Sequence, residues 1–142
     1  MTSQMANAVA IASDLADWLA AQAAASPAEE VCGLLFGGPA RIASATACRN
    51  VAAETARRFE IDPVALLAAH RAARAGGRAV IGCWHSHPSG GATPSLRDAA
   101  DAAPDGALWL IATASELRAW RAGPTGEVGG RFDPVALTID DC

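Results

Sequence analysis

The stretch Arg78–Trp84, RAVIGCW, constrains the fold more than any other, because it runs directly into His85-Ser86-His87-Pro88. A short apolar run stopped by proline reads as a buried strand, since proline cannot donate to a ladder. On an extended segment, side chains at i and i+2 point the same way. The imidazoles of His85 and His87 can therefore converge on one point at the end of that strand.

Two more runs share this build. Glu30–Phe36, EVCGLLF, stops at Gly37-Gly38-Pro39, and Ala107–Thr113 is equally apolar. Helix signals fall between them. Asp62 caps and Pro63 opens a helix reaching Gly76-Gly77, and Thr93-Pro94 offers the cap and first residue of a helix over Ser95–Ala103. Ahead of these, Ala8–Ala12 reads as a strand, and Ser13 or Asp14 caps a helix with Pro27 just beyond its end. Ile42–Asn50, Ala56–Ile61, Leu117–Arg121 and Val128–Phe132 read as further strands. Alternating strands and helices predict an α/β fold with a mixed β-sheet flanked by helices. The 142 residues show no repeat or linker, so 1–142 is expected to be a single domain.

The net charge of −4, with its charges scattered, argues against a nucleic-acid partner, which would face a basic patch. No apolar run approaches membrane-spanning length and no signal segment opens the chain, so no membrane and a cytoplasmic setting are expected. Cys32, Cys48, Cys83 and Cys142 form no CxxC pair and suit neither a zinc ribbon nor a disulfide framework. The chain has no lysine, and so no side-chain amine to carry an isopeptide-linked tag.

Asp98 follows His87 across a loop whose Gly90 and Gly91 permit a tight return. Two histidines and a carboxylate with a fourth position open form a catalytic zinc set. Ser95 lies three residues before Asp98, on the same face of a helix. It either donates to a developing oxyanion or simply caps the helix with Asp98 as its box partner. Such a site also needs a base. Glu29, Glu30, Glu54, Glu60, Asp101 and Asp105 are the candidates. Glu30 stands where a polar loop enters a buried strand, a costly place for an idle carboxylate. Spacing alone does not bring it to the histidines. His70 sits within a helical stretch with no ligand-like neighbour and reads as structural. Cys32 and Cys83 each share a strand face with a site residue, as two small buried hydrophobes or as a redox-sensitive pair.

HSHPSGGATPSLRD resembles the His-x-His-Pro-x6-Ser-x2-Asp signature of the JAMM metalloproteases, the MPN+ domains. PAEEVCGLLFG resembles the segment around that family's catalytic glutamate, and the element order matches over nearly the whole chain. The resemblance implies a cytidine-deaminase-like MPN fold and one zinc ion per chain, held by His85, His87 and Asp98. It makes Glu30 the general acid/base acting through the zinc-bound water, and Ser95 the oxyanion stabiliser. It implies hydrolysis of a peptide or isopeptide bond after the glycine-rich C-terminal tail of a ubiquitin-like protein, of sulfur-carrier type in the stand-alone prokaryotic branch. The zinc deaminases fit poorly, since their His-x-Glu and Pro-Cys-x-x-Cys ligands are absent. Two other readings are a non-catalytic zinc-holding MPN binding module and a RadC-like DNA-repair relative. The complete motif speaks against the first. The serine between the histidines and the acidic balance speak against the second.

Overall fold

The computed structural model describes residues 7–141, so Cys142 lies outside the described residues. The elements are β1 (Ala8–Ala12), α1 (Ser13–Ala25), β2 (Cys32–Gly38), β3 (Arg41–Cys48), α2 (Pro63–Arg74), β4 (Val80–Ser86), α3 (Leu96–Asp101), β5 (Leu108–Ala112), β6 (Leu117–Ala122) and β7 (Phe132–Asp140). The strands run in the order β1-β3-β2-β4-β5-β6-β7, and parallel pairing of β7 with β1 closes the sheet on itself. β1–β3 and β4–β5 are also parallel and the other pairs antiparallel, so the sheet is mixed and flanked by helices, as expected.

Sequence periodicity explains the packing. β1 buries alternate residues Val9 and Ile11, and α1 lays Ala16 and Leu19 on the same core. Leu35, Ile42, Trp84, Leu108 and Leu110 complete that cluster. A second cluster gathers Ala99, Trp109, Ile111, Trp120 and Phe132. β5 feeds both clusters alternately and is buried at every position, which is why it reads as an unbroken apolar run. Each large side chain so enclosed contributes about 1.5–3 kcal/mol.

Trp84 anchors the strand that carries the histidines. Its indole N–H donates to the Thr46 carbonyl at 2.9 Å, and its ring meets Trp18 of α1 edge-on. Gly33 makes this possible, since a Cβ there would overlap both that carbonyl and the indole.

Four local expectations change. Ala56–Ile61 forms no strand, and only Ile61 makes a bridge, to Asn50. The Asn50 side chain occupies backbone groups of this segment that a ladder would need. α3 begins at Leu96 with Ser95 as its N-cap, instead of running Ser95–Ala103 behind a Thr93 cap. Thr93 Oγ1 accepts from Arg118 instead, at 3.2 Å. α1 has Ala12 as its N-cap with no side-chain cap, because β1 passes into the helix without a break. Val128–Phe132 is a turn, with Gly129 and Gly130 at positive φ, and the strand lies beyond it as β7. Pro134 and two aspartates disguise that strand in the sequence.

Candidate active site

Strand register brings the distant parts together. Cys32 of β2 pairs antiparallel with His85 of β4. The pairing continues past β2: Ser86 N–H donates to the Val31 carbonyl, and Val31 N–H to Ser86 Oγ, both at 2.9 Å. Two places along from Cys32, Glu30 falls level with His87. Its backbone is tied on both sides, by N–H donation to Thr55 O at 2.7 Å and by Asn50 Nδ2 donating to its carbonyl at 2.9 Å.

His85 lies in β4 and His87 one residue beyond it, and the loop through Gly90 and Gly91 returns the chain to α3. His85 Nε2 is 3.1 Å from His87 Nε2, and Asp98 Oδ2 is 3.1 Å and 3.0 Å from the two. His87 Nδ1 lies 2.9 Å from the Gly91 carbonyl, which can only accept. Nδ1 therefore carries the proton, and a neutral His87 presents the lone pair of Nε2 to a carboxylate oxygen. A cation must join two acceptors at that distance, either a metal ion or the proton that lets His87 donate to Asp98. Ligand bonds of about 2.0–2.1 Å at tetrahedral angles would separate the donor atoms by about 3.3 Å, close to the edges of this triangle. The three residues form a group able to hold a metal ion, and two imidazoles with one carboxylate suit zinc.

Asp98 is further fixed by a reciprocal box, with Ser95 N–H donating to its Oδ2 at 2.9 Å and its own N–H to Ser95 Oγ at 3.0 Å. Burial works against its charge, but hydrogen bonds from His85 and His87 hold its carboxyl well below the usual carboxylate range. Burial lowers the His85 pKa and favours the neutral form a metal needs. At His87, burial acts the same way but is outweighed by the bonds to Asp98 and Gly91, so its pKa rises.

Glu30 is pushed up to about 7, chiefly by burial and then by the nearby charge of Asp98, with His87 offsetting in part. Its Oε1 is buried without a hydrogen-bond partner. An idle buried carboxylate is costly, and such costs concentrate at functional sites. Cys32, Cys48 and Cys83 are all free. Burial pushes the Cys32 thiol up to about 12 and raises that of Cys83, which suits inert buried hydrophobes.

Several site-building residues carried no readable signal in the sequence. Asn50 uses its whole hydrogen-bonding capacity here. Nδ2 donates to Glu30 O and Arg58 O, and Oδ1 accepts from Ala52 N–H and Glu60 N–H. On the other flank, β6 and the turn before it steady the loop behind His87. Glu116 accepts from Ala92 N–H at 3.1 Å and the Trp120 indole donates to Ala92 O at 2.9 Å. These partners are distant in sequence, and only the closed sheet makes them neighbours.

The sequence pattern of the prokaryotic homologs of the JAB domain matches residues 12–123. The chain belongs to this family. A desampylase of Haloferax volcanii is 37% identical over 91 residues, covering 63% of this chain and 66% of the relative. A histone deubiquitinase of Branchiostoma floridae is 39% identical over 75 residues, 49% of this chain but 9% of that protein. The JAB-domain fold recurs in the solution structure of a Desulfitobacterium hafniense protein, with TM-score 0.78, 22% identity and 94% of both chains covered. A JAB1/MPN domain protein from Archaeoglobus fulgidus has TM-score 0.54 at 17% identity, over 93% of this chain and 96% of that one. The MPN fold implied by the sequence resemblance is thus the fold of this JAB-domain chain. No helix among the described residues is long and apolar enough to cross a membrane.

Proposed function

We propose that this JAB-domain protein is a zinc-dependent hydrolase that cleaves the amide bond after the glycine-rich tail of a ubiquitin-like protein. The observation that carries the reading is Glu30: a buried carboxylate with an unpartnered oxygen, set by strand register level with His87. The named activities of the desampylase and deubiquitinase relatives support the substrate class.

His85, His87 and Asp98 would hold the zinc. When bound, zinc lowers the pKa of a coordinated water toward about 7 and polarises a carbonyl. Glu30 takes the proton from the attacking water and passes it to the leaving amine. A group titrating near neutrality can do both, and here burial supplies that tuning. Ser95 Oγ already accepts from Asp98 N–H, so its own proton remains to donate to the carbonyl oxygen as charge develops there. A tail ending in Gly-Gly carries no side chains to clash as it approaches these groups.

Within the ubiquitin-like class, the resemblance of the CGLL segment to the prokaryotic branch of the family favours a sulfur-carrier protein as substrate, in peptide or isopeptide linkage. The test is hydrolysis of a carrier protein fused through its Gly-Gly terminus to a reporter. One zinc per chain, cleavage directly after Gly-Gly, and loss of cleavage on chelation are expected. Cleavage that persists in fully chelated protein would overturn the reading.

A further inference from the structure

Three groups face the proposed metal position, and two of them are braced by hydrogen bonds. His87 is braced through Gly91 O, and Asp98 through Ser95 N–H. His85 differs. It is fully buried, and its Nδ1 has no hydrogen-bond partner. A metal-binding histidine ordinarily donates that second N–H to an oxygen, which fixes ring orientation. Aromatic rings take that place here. Phe59 stacks on the His85 imidazole with centroids 4.3 Å apart and planes 21° from parallel, and Trp109 meets it edge-on at 5.6 Å.

Trp109 is a core residue of β5 and belongs to the scaffold. Phe59 is not. It stands on the irregular segment after β3, with a hollow of about 280 Å³ lined by Phe59, Arg58, Cys83, Asp101 and Trp109 beside it. Space beside the ring means that packing alone does not confine it. Two ties do. Arg58 pairs with Asp101 of α3 at 3.3 Å, and Asn50 binds the backbone on either side of Phe59, at Arg58 O and Glu60 N.

We infer that Phe59 is a positioning residue that orients His85 toward the metal by ring stacking, in the role a hydrogen-bond acceptor usually fills. The inference rests on the zinc reading above. Phe59 touches no reacting atom, so its removal should act on metal affinity and on imidazole order before it acts on chemistry.

The test compares wild type, Phe59→Leu and Phe59→Tyr by two measurements. The first is imidazole NMR of ¹⁵N-histidine-labelled, metal-free protein. The second is zinc affinity by competition with a chromophoric chelator. In Phe59→Leu, which keeps apolar bulk but not the ring, the His85 signals should broaden or shift while those of His70 stay put. Zinc affinity should fall about ten- to hundredfold. Phe59→Tyr should restore both. Wild-type signals and affinity in Phe59→Leu would overturn the inference. Should wild type bind no zinc, the zinc reading fails, and the NMR comparison still decides whether Phe59 orders His85.

Discussion

Residues 84–98 and 49–61 meet over the same site and are built in opposite ways. The first begins inside a strand and ends in a helix whose cap, Ser95, is locked reciprocally to Asp98. Regular structure places its functional groups, with His85 on the ladder and Asp98 in the first helical turn. The second has no helix and no named strand. One side chain, Asn50, gathers four backbone groups, and an ion pair and a stacked ring pin the rest. The first stretch carries the proposed metal ligands, and the second braces the proposed base, Glu30, and packs against one of those ligands, His85. The difference predicts that damage to the first removes the metal or the reaction, whereas damage to the second loosens both in part.

The largest effect should come from His87→Ala. It removes one of three protein ligands, and zinc affinity should fall roughly a thousandfold, read by competition with a chelator. Retained tight zinc would break the ligand assignment.

Glu30→Gln should show what burying the base costs. With its pKa raised to about 7, ionising Glu30 opposes folding. The sign follows from linkage: the penalty is absent below about pH 4.5, grows as pH rises, and is complete above about pH 7. After chelation, Glu30→Gln should be more stable than wild type by about 1–2 kcal/mol at pH 8, the shift being discounted for solvent screening, with little difference at pH 4. Urea unfolding at both values checks this, and an equal difference at the two would count against a raised pKa. Asn50→Ala should cost about 2 kcal/mol by leaving backbone groups unpaired, and should lower turnover and zinc affinity in part. Ser95→Ala should be mildest in stability, about 1 kcal/mol for a lost cap, and any larger fall in turnover measures its oxyanion role.

The same contrast explains what the sequence could disclose. Strand alternation and a Ser-x-x-Asp spacing are local patterns, so β4, α3 and the converging histidines could be read from residues alone. The α/β class and the mixed sheet followed from short apolar runs between proline-capped helices. Glu30 was legible as an oddity, a carboxylate entering an apolar run, but its level with His87 depends on the β2–β4 register, which no local pattern encodes. Residues 56–61 looked like a strand because Phe59 and Ile61 alternate with polar residues. A single asparagine earlier in the chain diverts their hydrogen bonds. Closure of the sheet through β7 was hidden by Pro134, and with it the support that β6 gives to the loop behind His87.

Glu30 handles the proton, in the mechanism proposed, while the histidines and Asp98 hold the metal. Zinc content and Gly-Gly amide hydrolysis, measured together on Glu30→Gln, separate those two roles in one experiment. One zinc per chain, as in wild type, is expected alongside turnover reduced at least about a hundredfold. Wild-type turnover in that variant would contradict the assignment of Glu30 as the base.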